Sequence, residues 1–296
     1  MNRSQKAALA SVGIGVLVFA LKLAAWYVTG SVALFSDALE STINVVAAAT
    51  AYVALRVANL PADANHPYGH HKAEYFSAVF EGVLVVVAAL AIAREAYHGF
   101  IDPTPIDAPA LGLAINAVAT VINAAWGYVL VKWGRNWRSP ALIADGRHVL
   151  TDVWTSAGVI VGVVVVAMTG MARLDPAIAA LVAVNVLWSG WQMVREASGG
   201  LMDAAPAESV VEDLKKVISQ NAHGAIEAHD VRIRHAGKVT FVEFHLIVDG
   251  EMTVWASHEI CDRIEAALRQ RLGGDGFISI HVEPENKAKH EGIVVL

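Results

Sequence analysis

Six long apolar runs separated by short polar breaks fill the first two-thirds of the chain, and no other feature constrains the fold as strongly. They extend over Ala7–Thr29, Val32–Val57, Ala73–Phe100, Ala108–Trp133, Pro140–Met168 and Pro176–Val194. Each approaches or exceeds the roughly 20 residues that cross a hydrocarbon core about 30 Å thick. A chain in that medium must satisfy its backbone internally, so the runs read as six transmembrane helices. Composition agrees, with 55 % hydrophobic and 17 % charged residues and a mean hydropathy of +0.48, where water-soluble domains carry about 25 % charged residues. A net charge of −6, without a concentrated basic face, argues against nucleic acid as a partner. The single cysteine, Cys261, can form neither an intramolecular disulfide nor a thiolate zinc cluster, so a metal site here draws on histidine and carboxylates. The first apolar run is long and further spans follow it, which argues against a cleaved signal peptide.

Charge and pattern divide the chain into a transmembrane domain, residues 1–203, and a cytoplasmic domain, residues 204–296. Residues 1–203 hold 12 Lys/Arg and 13 Asp/Glu; the remaining 93 hold 10 and 15, with seven of the twelve histidines. Arg3, Lys6, Arg56, Lys72, Lys132, Arg135, Arg138 and Arg195 gather on one side of the spans. Cytoplasmic loops carry that excess, so both termini are expected in the cytoplasm. Arg94 is an exception near the outer end of the third span, where Glu95 or snorkelling accommodates it. Beyond Gly199-Gly200 the pattern becomes that of a soluble α+β domain of order α-β-β-α-β. It reads as a helix over Ser209–Ala222, strands over Asp230–His235 and Thr240–Val248 about a turn at His235-Ala-Gly-Lys238, a helix over Val254–Leu272, and a strand over Phe277–Val282.

An ionisable side chain inside a membrane span is costly and marks a functional candidate. The second span carries Asp37, Glu40, Ser41 and Asn44, spaced three, four and seven apart and therefore on one helical face. The fifth carries Asp145, His148, Asp152 and Ser156, with His148 and Asp152 one turn apart. His148, Asp152 and Asp37 supply one nitrogen and two carboxylates for a divalent ion, with Ser41 or water in a fourth position. Asn44, Asn116, Asn123 and Asn185 read as interhelical glue. Glu40 and Glu81 read more readily as structural groups, with Lys22 a partner for either. Asp63, His66 and His70 place three potential ligands within eight residues of a loop, where histidines are also often merely solvated. In the soluble part, His229, His245, His258 and His281, with Glu283 two residues further along the last strand, fall on separate elements. Spacing alone leaves a metal cluster and a set of surface titrating groups both open.

These residues together resemble the cation diffusion facilitator family, within it the bacterial ferrous-iron and zinc efflux type. The resemblance rests on Gly30-Ser-Val-Ala-Leu-Phe-Ser-Asp-Ala-Leu-Glu-Ser41, the loop from Asp63 through His66 and His70 to Lys72-Ala-Glu74, Ala144-Asp-Gly-Arg-His148 followed by Asp152, Leu201-Met-Asp203 and a His-rich, ferredoxin-like tail. It implies a six-helix, all-α membrane domain, a ferredoxin-like cytoplasmic domain, and a homodimeric, non-enzymatic, proton-coupled antiporter. Such a pump moves divalent metal, Zn²⁺ foremost with Fe²⁺, Cd²⁺, Co²⁺ or Mn²⁺ as alternatives, out of the cytoplasm across the inner membrane. Carried over by position, the resemblance implies a transport site at Asp37, Ser41, His148 and Asp152, with His148 and Asp152 coupling to protons. It implies a loop site at Asp63, His66 and His70, and a cytoplasmic binuclear site at His229, His245, His258, His281 and Glu283. Lys72 and Asp203 match an ion-pair interlock near the dimer interface. Similar proteins carry Asp-x-x-x-Asp or His-x-x-x-Asp on the second helix; here Ser41 stands at the second position, and Glu40 or Asn44 could compensate for its neutral hydroxyl.

Metal requires neutral imidazole and ionised carboxylates, so metal and protons compete for such a site. His148 suits the coupling because its ordinary pKa, about 6.5, lies near neutrality. Three other functions stay open at this point: a cation channel with an acidic selectivity face, an intramembrane hydrolase using Asp37 and Asp152, and a membrane-anchored metal sensor. No nucleophile motif supports the hydrolase, and a sensor leaves the buried Asp/His set without a role.

Overall fold

The computed structural model describes residues 3–103, 109–289 and 292–294. The chain folds as two compact units, Met1–Ser198 and Gly199–Leu296. Six helices build the first: α1 (Arg3–Thr29), α2 (Val32–Ala58), α3 (Ala73–Ile101), α4 (Pro109–Asn136), α5 (Pro140–Thr169) and α6 (Leu174–Leu201), whose last turn runs into the second unit. Each has 27 to 30 residues, or roughly 40–45 Å at 1.5 Å per residue. All six are long and apolar enough to cross a membrane. Their ends follow local chemistry. Gly30, in the left-handed region at φ 64°, breaks α1 from α2, and the Ser31 hydroxyl accepts the Leu34 N–H at 3.3 Å to cap α2. Pro140 opens α5 and the left-handed Gly170 closes it.

The bundle is apolar outside and polar inside. Val121, Met168, Leu181 and Trp188 face outward, whereas Lys22, Asp37, Glu40, Glu81, Asp145, His148 and Asp152 are buried. Hydrocarbon is the solvent that stabilises this arrangement, because buried charges can satisfy one another only inside. Without a hydrophobic force between helices, close approach of backbones holds them together, and small residues permit it. At Gly146 of α5 a Cβ would stand 2.8 Å from the Val131 backbone nitrogen and 2.8 Å from Leu130 Cβ on α4. At Gly82 of α3 it would stand 3.1 Å from the Gly190 carbonyl of α6. The N-terminal ends of α3 and α5 are tied by Glu74, whose Oε2 accepts from Ser139 Oγ at 2.6 Å and from the Ala141 N–H at 3.4 Å. That places a carboxylate on the exposed donors at the start of α5.

The second unit contains α7 (Glu208–Asn221), β1 (Glu227–Ala236), β2 (Val239–Val248), α8 (Val254–Leu272), β3 (Gly276–Pro284), a single 3₁₀ turn and the short β4 (Ile293–Val294). The sheet runs β3-β2-β1-β4, with β1 and β2 antiparallel, β2 and β3 parallel through α8, and β4 antiparallel to β1. The mixed α+β order is the expected one with β4 added, a strand of two residues too short to announce itself by alternation. Leu214 and Ile218 of α7, with Ile264 and Leu268 of α8, pack on Val242, Phe244 and Leu246. Alternation then turns Glu243, His245 and Ile247 to the opposite face. Cys261 joins the helix–sheet core, and burial pushes its thiol pKa up.

Gly146→Val should wedge α4 from α5 and lower the stability of the full-length protein by about 1–3 kcal/mol. Thermal unfolding in detergent reads this directly, and an unchanged melting temperature would show that the two helices separate without cost.

Candidate metal centres

The intramembrane cluster is built by α1, α2 and α5. Lys22 of α1, with no exposed surface, donates from Nζ to Asp37 Oδ1 at 2.6 Å and to Ser156 Oγ at 2.9 Å. Ser156 in turn donates to Asp37 Oδ1 at 2.7 Å, closing a ring of three groups from three helices. The expected partners of Lys22 were Glu40 or Glu81; Asp37 takes it instead. Ser41, expected beside Asp37 in the transport site, donates its hydroxyl to the Asp37 carbonyl of its own helix at 3.1 Å.

One turn further along α2, Glu40 and Asn44 meet the residues expected on α5. Asn44 Nδ2 donates to Asp152 Oδ2. Glu40 Oε2 accepts from Thr155 Oγ1 at 3.1 Å, and Thr155 also donates to the Asp152 carbonyl at 2.8 Å. Nδ1 of His148 stands 3.6 Å from Asp152 Oδ1, beyond hydrogen-bond range. Glu40 Oε1, Asn44 Oδ1, Asp152 Oδ1 and both ring nitrogens of His148 are buried with no hydrogen-bond partner among the described residues. Five unmatched acceptor-capable atoms on four fully buried side chains are costly unless a cation or protons satisfy them. The structure thus gathers Glu40, Asn44, His148 and Asp152, two i, i+4 pairs on crossing helices, while Asp37 gives Oδ1 to Lys22 and Ser156 and keeps its buried Oδ2 unmatched among the described residues. The signal was present in the spacing, since Glu40-x-x-x-Asn44 repeats the interval of His148-x-x-x-Asp152.

The loop residues also converge. Asp63 Oδ1 accepts the backbone N–H groups of Asn65 at 2.9 Å and His66 at 2.7 Å, and its Oδ2 lies 3.4 Å from His70 Nε2. Those backbone donors, His66 first, hold the Asp63 carboxyl below the usual range. The rings of His66 and His70 stand 4.3 Å apart. Ligand atoms of Asp63, His66 and His70 all lie within 4.8 Å of one another, close enough for one ion.

In the soluble unit, strand register does what sequence spacing could not. His229 of β1 is paired across the sheet with His245 of β2, and His245 with His281 of β3. Successive ring centroids are 5.3 and 5.0 Å apart, on the face away from the helices. Glu283 reaches all three, at 3.5 Å from His229 Nε2, 3.3 Å from His245 Nδ1 and 3.7 Å from His281 Nε2. His258 is not in this row; it projects from α8 into solvent, 3.6 Å from Asp262. Asp230 is a member that the sequence reading missed. It sits at φ 51° in a β-bulge directly after His229, and forms with His229 and His245 a group whose ligand atoms lie within 4.8 Å. The ammonium of Lys289, 2.7 Å from both Asp230 oxygens, holds that carboxyl below its usual range. Lys72 is the residue immediately before α3, and Asp203 accepts from Arg234 Nη1 at 3.2 Å.

Comparison with known proteins agrees with this architecture. The sequence model of the cation efflux transmembrane domain matches residues 8–202, and that of the cation efflux protein cytoplasmic domain matches residues 206–285. The chain is 41 % identical over 277 residues to an uncharacterized transporter of Synechocystis sp., covering 94 % of this chain and 89 % of that one. It is 29 % identical over 302 residues to the cation-efflux pump FieF of Escherichia coli O139:H28, covering 99 % and 98 %, and 27 % identical over 291 residues to FieF of Salmonella newport, covering 97 % and 95 %. The solved zinc form of CzrB is 38 % identical over 29 % of this chain and 96 % of its own, with a TM-score of 0.28.

Removing Lys22 as Lys22→Met leaves Asp37 buried without its counter-charge, an expected cost of about 3–5 kcal/mol. Adding Asp37→Asn should recover most of it, because no uncompensated charge remains. Thermal unfolding of the full-length protein in detergent compares the two; equal destabilisation by the single and double variants would show that the residues do not act as a pair.

Proposed function

The chain belongs to the cation efflux family, integral membrane transporters of metal cations, and on that premise we propose that it is a homodimeric antiporter exporting a divalent transition metal in exchange for protons. Zn²⁺ is the first candidate, and Fe²⁺, Co²⁺, Cd²⁺ and Mn²⁺ suit the same mixed nitrogen and oxygen donors. The observation that carries the reading is the buried group of Glu40, Asn44, His148 and Asp152, with its unmatched acceptor atoms at the crossing of α2 and α5. In this reading Glu40 and Asn44 join His148 and Asp152 as ligands, with Asp37 giving Oδ1 to Lys22 and Ser41 donating to its own helix.

The exchange follows from ligand chemistry. Two carboxyl groups buried close together, as those of Glu40 and Asp152 are, call for a proton or a cation between them. A divalent ion between them replaces that proton and requires His148 to be neutral, so loading metal releases protons and protonation expels metal. A pump that exposes the site to each side in turn converts this competition into counter-transport. Both termini lie in the cytoplasm on the distribution of Lys and Arg. In the soluble unit, metal held by His229, His245, His281 and Glu283, with His258 contributed from α8, clamps the dimer in the arrangement that binds it more tightly. Lys72 and Asp203 belong to the interlock of that dimer.

Purified protein in liposomes, with Zn²⁺ flux and internal pH recorded together, tests the reading. Zn²⁺ and protons should move in opposite directions. Asp152→Asn or Glu40→Gln should cut the flux by more than the roughly 100-fold lost when a mere supporting group is removed. Zn²⁺ flux without proton movement would favour a channel, and undiminished flux in both variants would overturn the site.

A further inference from the structure

Glu81 of α3 is 0 % exposed, and neither carboxyl oxygen has a hydrogen-bond partner among the described residues. The transport site as built above leaves it without a role. Its depth is fixed by Glu74, two turns earlier on the same helix, which binds the start of α5 at Ser139 and Ala141. Counted from those adjoining ends at 1.5 Å per residue, Glu81 is level with the turn from Gly146 to His148 and lies between Asp145 and Asp152. Those two carboxyl groups of α5 are the charged groups that act on it. The buried cation nearby, Lys22, is committed to Asp37 and Ser156. Asp145 has its own donor in Ser11 Oγ at 2.8 Å, itself held by Trp126 Nε1 at 2.7 Å.

A cavity of about 250 Å³ enters the bundle between α3, α5 and α6. It is lined by the exposed, ion-paired Arg147 and Glu196 and by Ala78 and Ala144, among others. Ala78 precedes Glu81 by three residues, and Ala144 precedes His148 by four. Ala78 and Ala144 therefore share a helix face with Glu81 and His148, one turn away from each. One turn on come Glu81 and His148, then Asp152 with Glu40, buried groups each with at least one side-chain atom unmatched among the described residues.

We infer that Glu81 is a relay ligand for the transported cation, the carboxylate that takes a divalent ion from this cavity and passes it, with His148, to the Glu40/Asn44/His148/Asp152 site. The inference rests on that transport-site reading. A side chain whose two oxygens are both buried and unmatched is satisfied by a passing divalent ion, and the cavity supplies the route. Asp145 stands nearer the helix ends and is already hydrogen-bonded, which leaves Glu81 as the open carboxylate at the junction.

The test uses full-length protein in liposomes, with Zn²⁺ as the probe, and calorimetric Zn²⁺ binding to the same preparations. Glu81→Gln should lower kcat/KM for Zn²⁺ by about tenfold or more while equilibrium affinity and stoichiometry stay those of the parent. Glu81→Asp, which keeps the charge, should restore most of the rate. Wild-type kinetics in Glu81→Gln would overturn the relay. So would a matched loss of melting temperature and rate in both variants, which marks a structural group. Asp152→Asn separates the two readings: it should lose equilibrium binding as well as flux, and if it binds and transports normally the transport site fails whatever Glu81 does.

Discussion

Between α1, α2 and α5, the Lys22 ammonium, the Asp37 carboxylate and the Ser156 hydroxyl close on one another in a region with no bulk water to share. In hydrocarbon an unpaired charge is costly enough to move a helix or expel it, so this ring fixes the mutual rotation of the three helices. With those faces fixed, the residues one turn away have no choice of neighbour. Glu40 and Asn44 meet Asp152, and His148 is held one turn below Asp152 on the same face of α5. The ion pair neutralises one carboxylate and leaves the next two to a mobile cation or to protons. The structural ion pair and the proposed transport site are thus separated by a single helical turn.

The soluble unit solves a related problem with register. A row of three histidines on neighbouring strands needs every second residue of each strand on the same face, and the β1–β2 hairpin and the parallel β2–β3 pairing deliver it. The helices cover the other face, so the histidine row and Glu283 lie away from the core, from the buried His229 to the exposed His281. The bulge after His229 turns Asp230 toward the same cluster, where Lys289 already provides a positive charge. In both units a basic side chain neutralises one carboxylate beside a group of candidate metal ligands.

Most of the architecture was legible in the sequence because it depends on local quantities. Length and apolarity gave six spans, turn residues gave their breaks, and alternation gave the hairpin. Boundaries drifted where burial is partial: α6 continues to Leu201 although its apolar run fades near Val194, and β1 begins at Glu227, ahead of Asp230. The candidate ligands His148 and Asp152 were legible as an i, i+4 pair in an apolar helix. Their partners on α2 were harder to choose, because Asp37, Glu40, Ser41 and Asn44 share one helical face and a face does not say which turn meets the neighbouring helix.

The sequence by itself determined that the chain is a six-helix membrane unit with an α+β domain behind it, since hydrophobic period and span length are properties of consecutive residues. It also determined which residue types were available for metal, since one cysteine leaves only histidine and carboxylates. Only the tertiary structure decided how those groups are shared out. Lys22 could reach any of several carboxylates from its position in the sequence, and the crossing of α1 with α2 and α5 assigns it to Asp37. That assignment leaves Glu40 beside Asp152 and Glu81 without a partner among the described residues, because a buried ammonium can neutralise only one of the acids around it.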